Sequence, residues 1–139
     1  MPVARESFKI STRGNAQVLD ITSEVASAVL RTGMSAGTVT VFVSGATGSV
    51  TTIEYEPGLV DDMDELFERI APAGREYHHN MRWHDGNGHA HVRASLLGPS
   101  LTVPFNGAKL ELGIWQQIVL IDFDNKSRSR EIVCQVIGE

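Results

Sequence analysis

Ile114–Phe123 reads IWQQIVLIDF. The run is nearly all apolar, which predicts a buried central strand. Trp115 falls inside it and reads as core, with an indole N–H that needs a partner. Gln116 then faces the opposite side, where it can line a pocket. After the turn residues Asp124-Asn125-Lys126, the β-branched stretch Ser129–Ile137 predicts the last strand. Upstream, Thr38–Ser44 (TVTVFVS) predicts another central strand, and Val50–Glu56 (VTTIEYE) the next, stopped by Pro57-Gly58. Leu101–Pro104 reads as a strand, followed by the strong turn signal Asn106-Gly107. Ser7–Thr12 reads as an edge strand, Arg13-Gly14-Asn15 as a turn and Gln17–Asp20 as a short strand.

Helical spacing separates these runs. Thr22 is placed to cap a helix over Ser23–Arg31 that buries Val25, Ala28 and Val29, with Gly33 ending it. Leu59–Ile70 predicts a second helix burying Met63, Leu66, Phe67 and Ile70, closed by Pro72. Its Asp61, Asp62 and Asp64 are expected in the first turn, where the helix dipole favours acids. Ala90–Leu97 predicts a third, short helix ended by Gly98-Pro99. The pattern implies an α+β fold, a single compact domain over 1–139 with mostly antiparallel sheets and two or three helices.

The chain has 139 residues and a net charge of -5. That length can bury a core without disulfide or metal staples. The acidic balance argues against nucleic-acid or anionic-membrane partners. Cys134 stands alone, so no intrachain disulfide or cysteine metal cage forms. No stretch reaches the roughly 20 apolar residues of a membrane span, and MPVARESFKIS lacks a signal-peptide core. A cytoplasmic location is the expectation.

All five histidines fall within Tyr77–Ala94, YHHNMRWHDGNGHAHVRA. His79 and His91 meet if the intervening loop folds back, and Asp85 can orient one ring or act as a third ligand. Zinc accepts such ligands. A solvated loop pinned by Trp83 is the alternative, and the spacing matches no established zinc pattern.

The chain resembles the YjbQ-type proteins over nearly its whole length. The pieces that carry the resemblance are Tyr77-His78-His79, Asp85 to His91 (DGNGHAH), Ala94 to Ser100 (ASLLGPS), Gly113 to Ile118 (GIWQQI) and Arg130 to Val133 (REIV). It implies an α+β homotrimer and a secondary thiamine-phosphate synthase activity. That activity joins a pyrimidine pyrophosphate to a thiazole phosphate and releases pyrophosphate. It marks His79, Asp85, Asn87 and His91 as the functional set. The chain departs from the pattern at Gly45, where many members carry histidine, while Thr47 matches a family threonine.

Such chemistry needs stabilisation of a phosphorylated leaving group. His79, Asp85 and His91 are the candidate catalytic groups, and His79 and His91 the candidate ligands of a divalent metal, zinc or magnesium. Thr47, Asn87, Gln116 and Arg130 are the candidate contacts to a small phosphorylated metabolite. Arg130 either grips a phosphate bidentately or pairs with an acid of the chain. Gly45–Ser49 either offers backbone amides to an anion or is an ordinary turn. The competing functions are a metal-dependent enzyme on another phosphorylated metabolite and a non-catalytic binding protein.

Overall fold

Two antiparallel sheets divide the strands of the computed structural model, which describes residues 1–139. In chain order the elements are β1 (Val3–Thr12), β2 (Gln17–Asp20), α1 (Thr22–Arg31), β3 (Gly37–Val43), β4 (Gly48–Ile53) and α2 (Pro57–Ile70). There follow α3 (His78–Trp83), α4 (Gly88–Leu97), β5 (Ser100–Asn106), β6 (Lys109–Leu110), β7 (Gln117–Asp122) and β8 (Arg128–Gly138). One sheet runs β1-β8-β3-β5-β6 and the other β2-β7-β4. The α+β reading with antiparallel sheets holds, with four helices rather than two or three.

The continuous apolar run of β7 follows from its place in the middle layer. Ile118 and Leu120 join a core shared with Val39, Val41 and Val43 of β3, Ile132, Cys134 and Val136 of β8, and Val25, Ala28 and Val29 of α1. Val119, Ile121 and Phe123 point the other way, into a second core with Phe67 of α2 and Ala90 and Ala94 of α4. Alternate side chains of one strand therefore serve two cores. Phe123 meets Phe67 edge-on, with ring centroids 4.7 Å apart, the geometry aromatic quadrupoles favour. The far face of the five-stranded sheet has no covering layer. Val3, Phe42 and Ile137 are exposed there. No helix is long and apolar enough to cross a membrane.

Several local expectations are corrected. Strand β7 begins at Gln117, so Ile114 and Trp115 lie outside it and are 83% and 69% exposed; Trp115 is not core within the chain. Thr22 begins α1 instead of capping it, because its hydroxyl bonds Asp20 at 2.6 Å and receives the Ile118 amide at 2.9 Å. Glu56 caps α2 through Gly58 and Leu59, which starts that helix at Pro57 and moves the three aspartates beyond its first turn. Only Phe67 of α2 is fully buried; Leu66 and Ile70 are exposed. Helix α3 was not anticipated, nor the short β6.

Phe123→Ala is expected to lower the unfolding free energy by about 3–5 kcal/mol in urea titration. Leu30→Ala, on the exposed side of α1, is expected to change it by less than about 0.5 kcal/mol. Equal effects of the two would refute the two-core assignment.

Candidate functional site

The site forms where β7 ends, β8 begins and the β3–β4 bend passes. Asp122, the last residue of β7, lies opposite Gln17 and Gly48 in the register. Its carboxylate is wholly buried and fully partnered. Thr12 of β1 donates its hydroxyl to Oδ2 at 2.6 Å. Arg130 of β8 donates Nε to Oδ2 at 2.7 Å and Nη2 to Oδ1 at 2.9 Å. This fork satisfies both ions, which an isolated buried charge requires. The hydrogen bonds to Asp122 raise the pKa of the guanidinium despite its burial.

Asp124 continues the network. Its Oδ2 accepts from the Thr47 hydroxyl at 2.9 Å and from Arg128 Nε at 3.1 Å, and its Oδ1 accepts from the Lys126 amide at 3.2 Å. Burial works to raise this carboxyl, but hydrogen bonds from Thr47, Arg128 and Asn87 outweigh it and hold the pKa below the usual value. Thr47 relays the charges, since its Oγ1 also accepts Arg130 Nη2 at 2.6 Å.

The histidines arrive on α3 and α4. The Gly88 amide, at the start of α4, donates to Asn80 Oδ1 at 2.8 Å. A Cβ at Gly88 would stand 2.5 Å from Tyr77 Cβ, so only glycine lets the two segments approach this closely. The Asp85 loop is tied on by Asn125, whose Nδ2 donates to the Asp85 carbonyl at 2.8 Å and whose amide donates to Asn87 Oδ1 at 3.1 Å. Arg93 fixes α4 to α2 through Ala71 O at 2.9 Å and Glu68 at 2.8 Å.

The fold-back expected from the sequence is present. The His79 and His91 rings lie 4.3 Å apart, tilted by 36°. Asp85 Oδ1 is 3.5 Å from His79 Nδ1, a buried nitrogen that makes no hydrogen bond. Burial lowers the pKa of His91, and neighbouring His79 lowers it further. His89 is also lowered, by burial first and then by Arg93. Its side chain packs inward, whereas His78 and His84 are exposed.

Asp85, Asn87, His91, Thr47 and Arg130 line one recess of about 390 Å³, together with Ala46, Asp124, Arg128 and Ser129. His79 is not among them and meets the recess only through its contact with His91, and neither is Gln116. Gln116 sits beyond the opposite end of β7, roughly 20 Å from Asp122 at about 3.4 Å per residue, and bonds Thr52 and Gly113. Arg130 commits its bidentate edge to Asp122, which leaves Nη1 without a hydrogen bond. No three His, Cys, Asp or Glu side chains converge as a metal-ligand set. Sequence reasoning missed Asp122, Asp124 and Arg128. The signal was present: two acids at alternate positions closing an apolar run are buried polar groups in need of partners.

A family model described as "UPF0047 protein YjbQ-like" matches residues 6–139. A UPF0047 protein of Archaeoglobus fulgidus is 36% identical over 124 residues, covering 89% of this chain and 94% of its own. The crystal structure of a YbjQ-like protein of unknown function from Sulfolobus solfataricus P2 superposes with a TM-score of 0.93 at 30% identity, covering 99% of each chain. That of a hypothetical protein from Aeropyrum pernix K1 gives 0.91 at 32% identity, covering 98% of this chain and 99% of its own.

Lowered imidazole pKa values set the sign of the pH dependence. Below the unperturbed value of 6.5, the unfolded chain binds more protons than the folded one, so stability is present above that pH and lost as pH falls. The unfolding free energy is expected to drop between about pH 7 and pH 5, and His89→Gln and His91→Gln are each expected to flatten the drop. A wild-type profile that is level or rises on acidification would contradict the burial of these rings.

Proposed function

The chain belongs to the YjbQ-like UPF0047 family, and from that premise we propose that the recess is the active centre of an enzyme acting on a phosphorylated metabolite. The reaction we propose is of the thiamine-phosphate synthase type, joining a pyrimidine pyrophosphate to a thiazole phosphate with release of pyrophosphate. The observation that carries this reading is the contact of the His79 ring with His91, which lines the recess together with Asp85 and Arg130.

Burial, and then the neighbouring His79 ring, disfavour a proton on His91. In this reading His91, neutral near pH 7, accepts hydrogen bonds from substrate or takes a proton. The His79 ring, with the Asp85 carboxylate 3.5 Å from its Nδ1, donates to an oxygen of the departing pyrophosphate. Asn87 and Thr47 hold the recess wall through Asn125 and Asp124. Positioned proton transfer of this kind contributes about 10²–10⁴-fold.

A second reading has His79 and His91 holding a divalent ion such as zinc, and it rests on the orphaned His79 Nδ1. The residues present do not assemble a third ligand, and no step is routed through a metal. The homotrimer implied by the resemblance belongs to the same proposal. Its support is the uncovered sheet face with exposed Val3, Phe42 and Ile137, since apolar faces of that kind mark association surfaces.

His79→Ala and His91→Ala are each expected to reduce pyrimidine–thiazole coupling by at least about 100-fold, with far-ultraviolet circular dichroism unchanged. Undiminished coupling in both variants would remove the assignment. Stoichiometric zinc in the wild type that disappears in both variants would favour the second reading. Sedimentation equilibrium is expected to return three times the 15.2 kDa chain mass, and Phe42→Asp to lower it; a monomeric wild type would exclude the trimer.

A further inference from the structure

We propose that the β3–β4 bend and the free edge of Arg130 form the seat of a phosphoryl group, filled by pyrophosphate or a phosphate monoester. This deepens the reading above and rests on it for the identity of the substrate.

The bend Gly45–Thr47 lies between β3 and β4. Its neighbour Ser44 donates its amide to Glu131 O at 3.3 Å, yet the amides of Gly45, Ala46 and Thr47 donate to no acceptor of the chain. Consecutive free amides in a bend are the raw material of an anion site. Free loop amides alone are ordinary, because water satisfies them. What distinguishes this bend is the guanidinium beneath it.

The Arg130 side chain is only 8% exposed. Its Nε and Nη2 are held by Asp122 and Thr47. Nη1 alone is left over, and it points at the open side of Gly45, where a Cβ would stand 2.6 Å from it. The absence of a side chain at residue 45 thus puts an arginine donor beside the three free amides. Ala46, Thr47 and Arg130 face the same recess as Arg128, whose Nε is bound to Asp124 and whose side chain is 42% exposed.

The two carboxylates beside the bend are already engaged. Asp122 takes Thr12 and Arg130, while Asp124 takes Thr47, Arg128 and the Lys126 amide. The Thr47 hydroxyl proton goes to Asp124. Donors in excess on one wall call for a ligand rich in acceptors, and a tetrahedral phosphate offers oxygens in the several directions from which these N–H groups arrive. Asp85 also lines the recess, and its charge repels an anion and favours the Arg130 side. Because Asp122 neutralises Arg130, the seat binds by directed hydrogen bonds more than by net charge.

The experiment titrates the full-length protein with inorganic pyrophosphate, then with inorganic phosphate, by calorimetry and by ¹H–¹⁵N correlation spectra. Saturable downfield shifts of the Gly45, Ala46 and Thr47 amides are expected in the wild type. Ala46→Pro deletes an N–H that bonds nothing in the chain, and Gly45→Ala sets a methyl group against Nη1. Each is expected to weaken pyrophosphate roughly tenfold, whereas Leu30→Ala, on the exposed side of α1, leaves the affinity within about threefold. Wild-type spectra in which those amides stay still, or full affinity in both bend variants, would overturn the seat. Pyrophosphate binding that is lost in the bend variants, from a protein that shows no coupling, would uphold the seat and remove the reaction proposed above.

Discussion

A wholly buried carboxylate, Asp122, sets the geometry of the recess. Left unpaired it would cost several kcal/mol, and the partners that prevent this come from separate segments: Thr12 at the end of β1 and Arg130 near the start of β8. Arg130 in turn holds Thr47 in the β3–β4 bend. One ion pair therefore joins both sheets at one end of the molecule. An apolar pair of equal volume could serve stability as well. What it could not do is hold a guanidinium in a single orientation with one nitrogen left over, and that orientation decides what the recess presents to a ligand.

The second half of the recess depends on backbone proximity instead of charge. Helix α3 buries none of its residues, so it has no apolar anchor of its own. It is held through Tyr77 against Gly88 and through Asn80 on the Gly88 amide. Helix α4 is firmly seated, by Ala90 and Ala94 in the second core, by Arg93 on α2 and by Ser49 on the Ala94 carbonyl at 2.9 Å. The His79–His91 contact thus joins a loosely anchored element to a rigid one.

What could be read in the sequence follows from this division. Apolar periodicity is local, so the main strands, α1, α2 and α4 were visible from composition alone. The convergence of positions 79 and 91 was legible only as a condition, because the glycines at 86 and 88 mark a loop without fixing its direction. Trp115 was misplaced because an indole beside an apolar run looks like core, and nothing local says that the strand starts two residues later. Gln116 was drawn into the site by the same error, as its adjacency in sequence carried no information on which end of β7 it occupies. Asp122 and Asp124 carry a local signal, acids at alternate positions closing an apolar run, but their partners lie in β1, the bend and β8, and no local pattern names them.

Gly45 shows how a single departure alters more than one group. Where the family pattern carries histidine, this chain has a residue with φ of 151°, a conformation that side-chain-bearing residues rarely adopt. A histidine there would need a different bend, or would push Arg130 Nη1 aside and strain its fork on Asp122. The glycine therefore changes the backbone and the arginine's surroundings together. It also replaces an imidazole, which titrates near neutrality, by amide and guanidinium donors, which do not. In this chain the pH response of the recess falls to His91, whose pKa burial lowers, and the Arg130 wall keeps its donors at any pH where the fold survives.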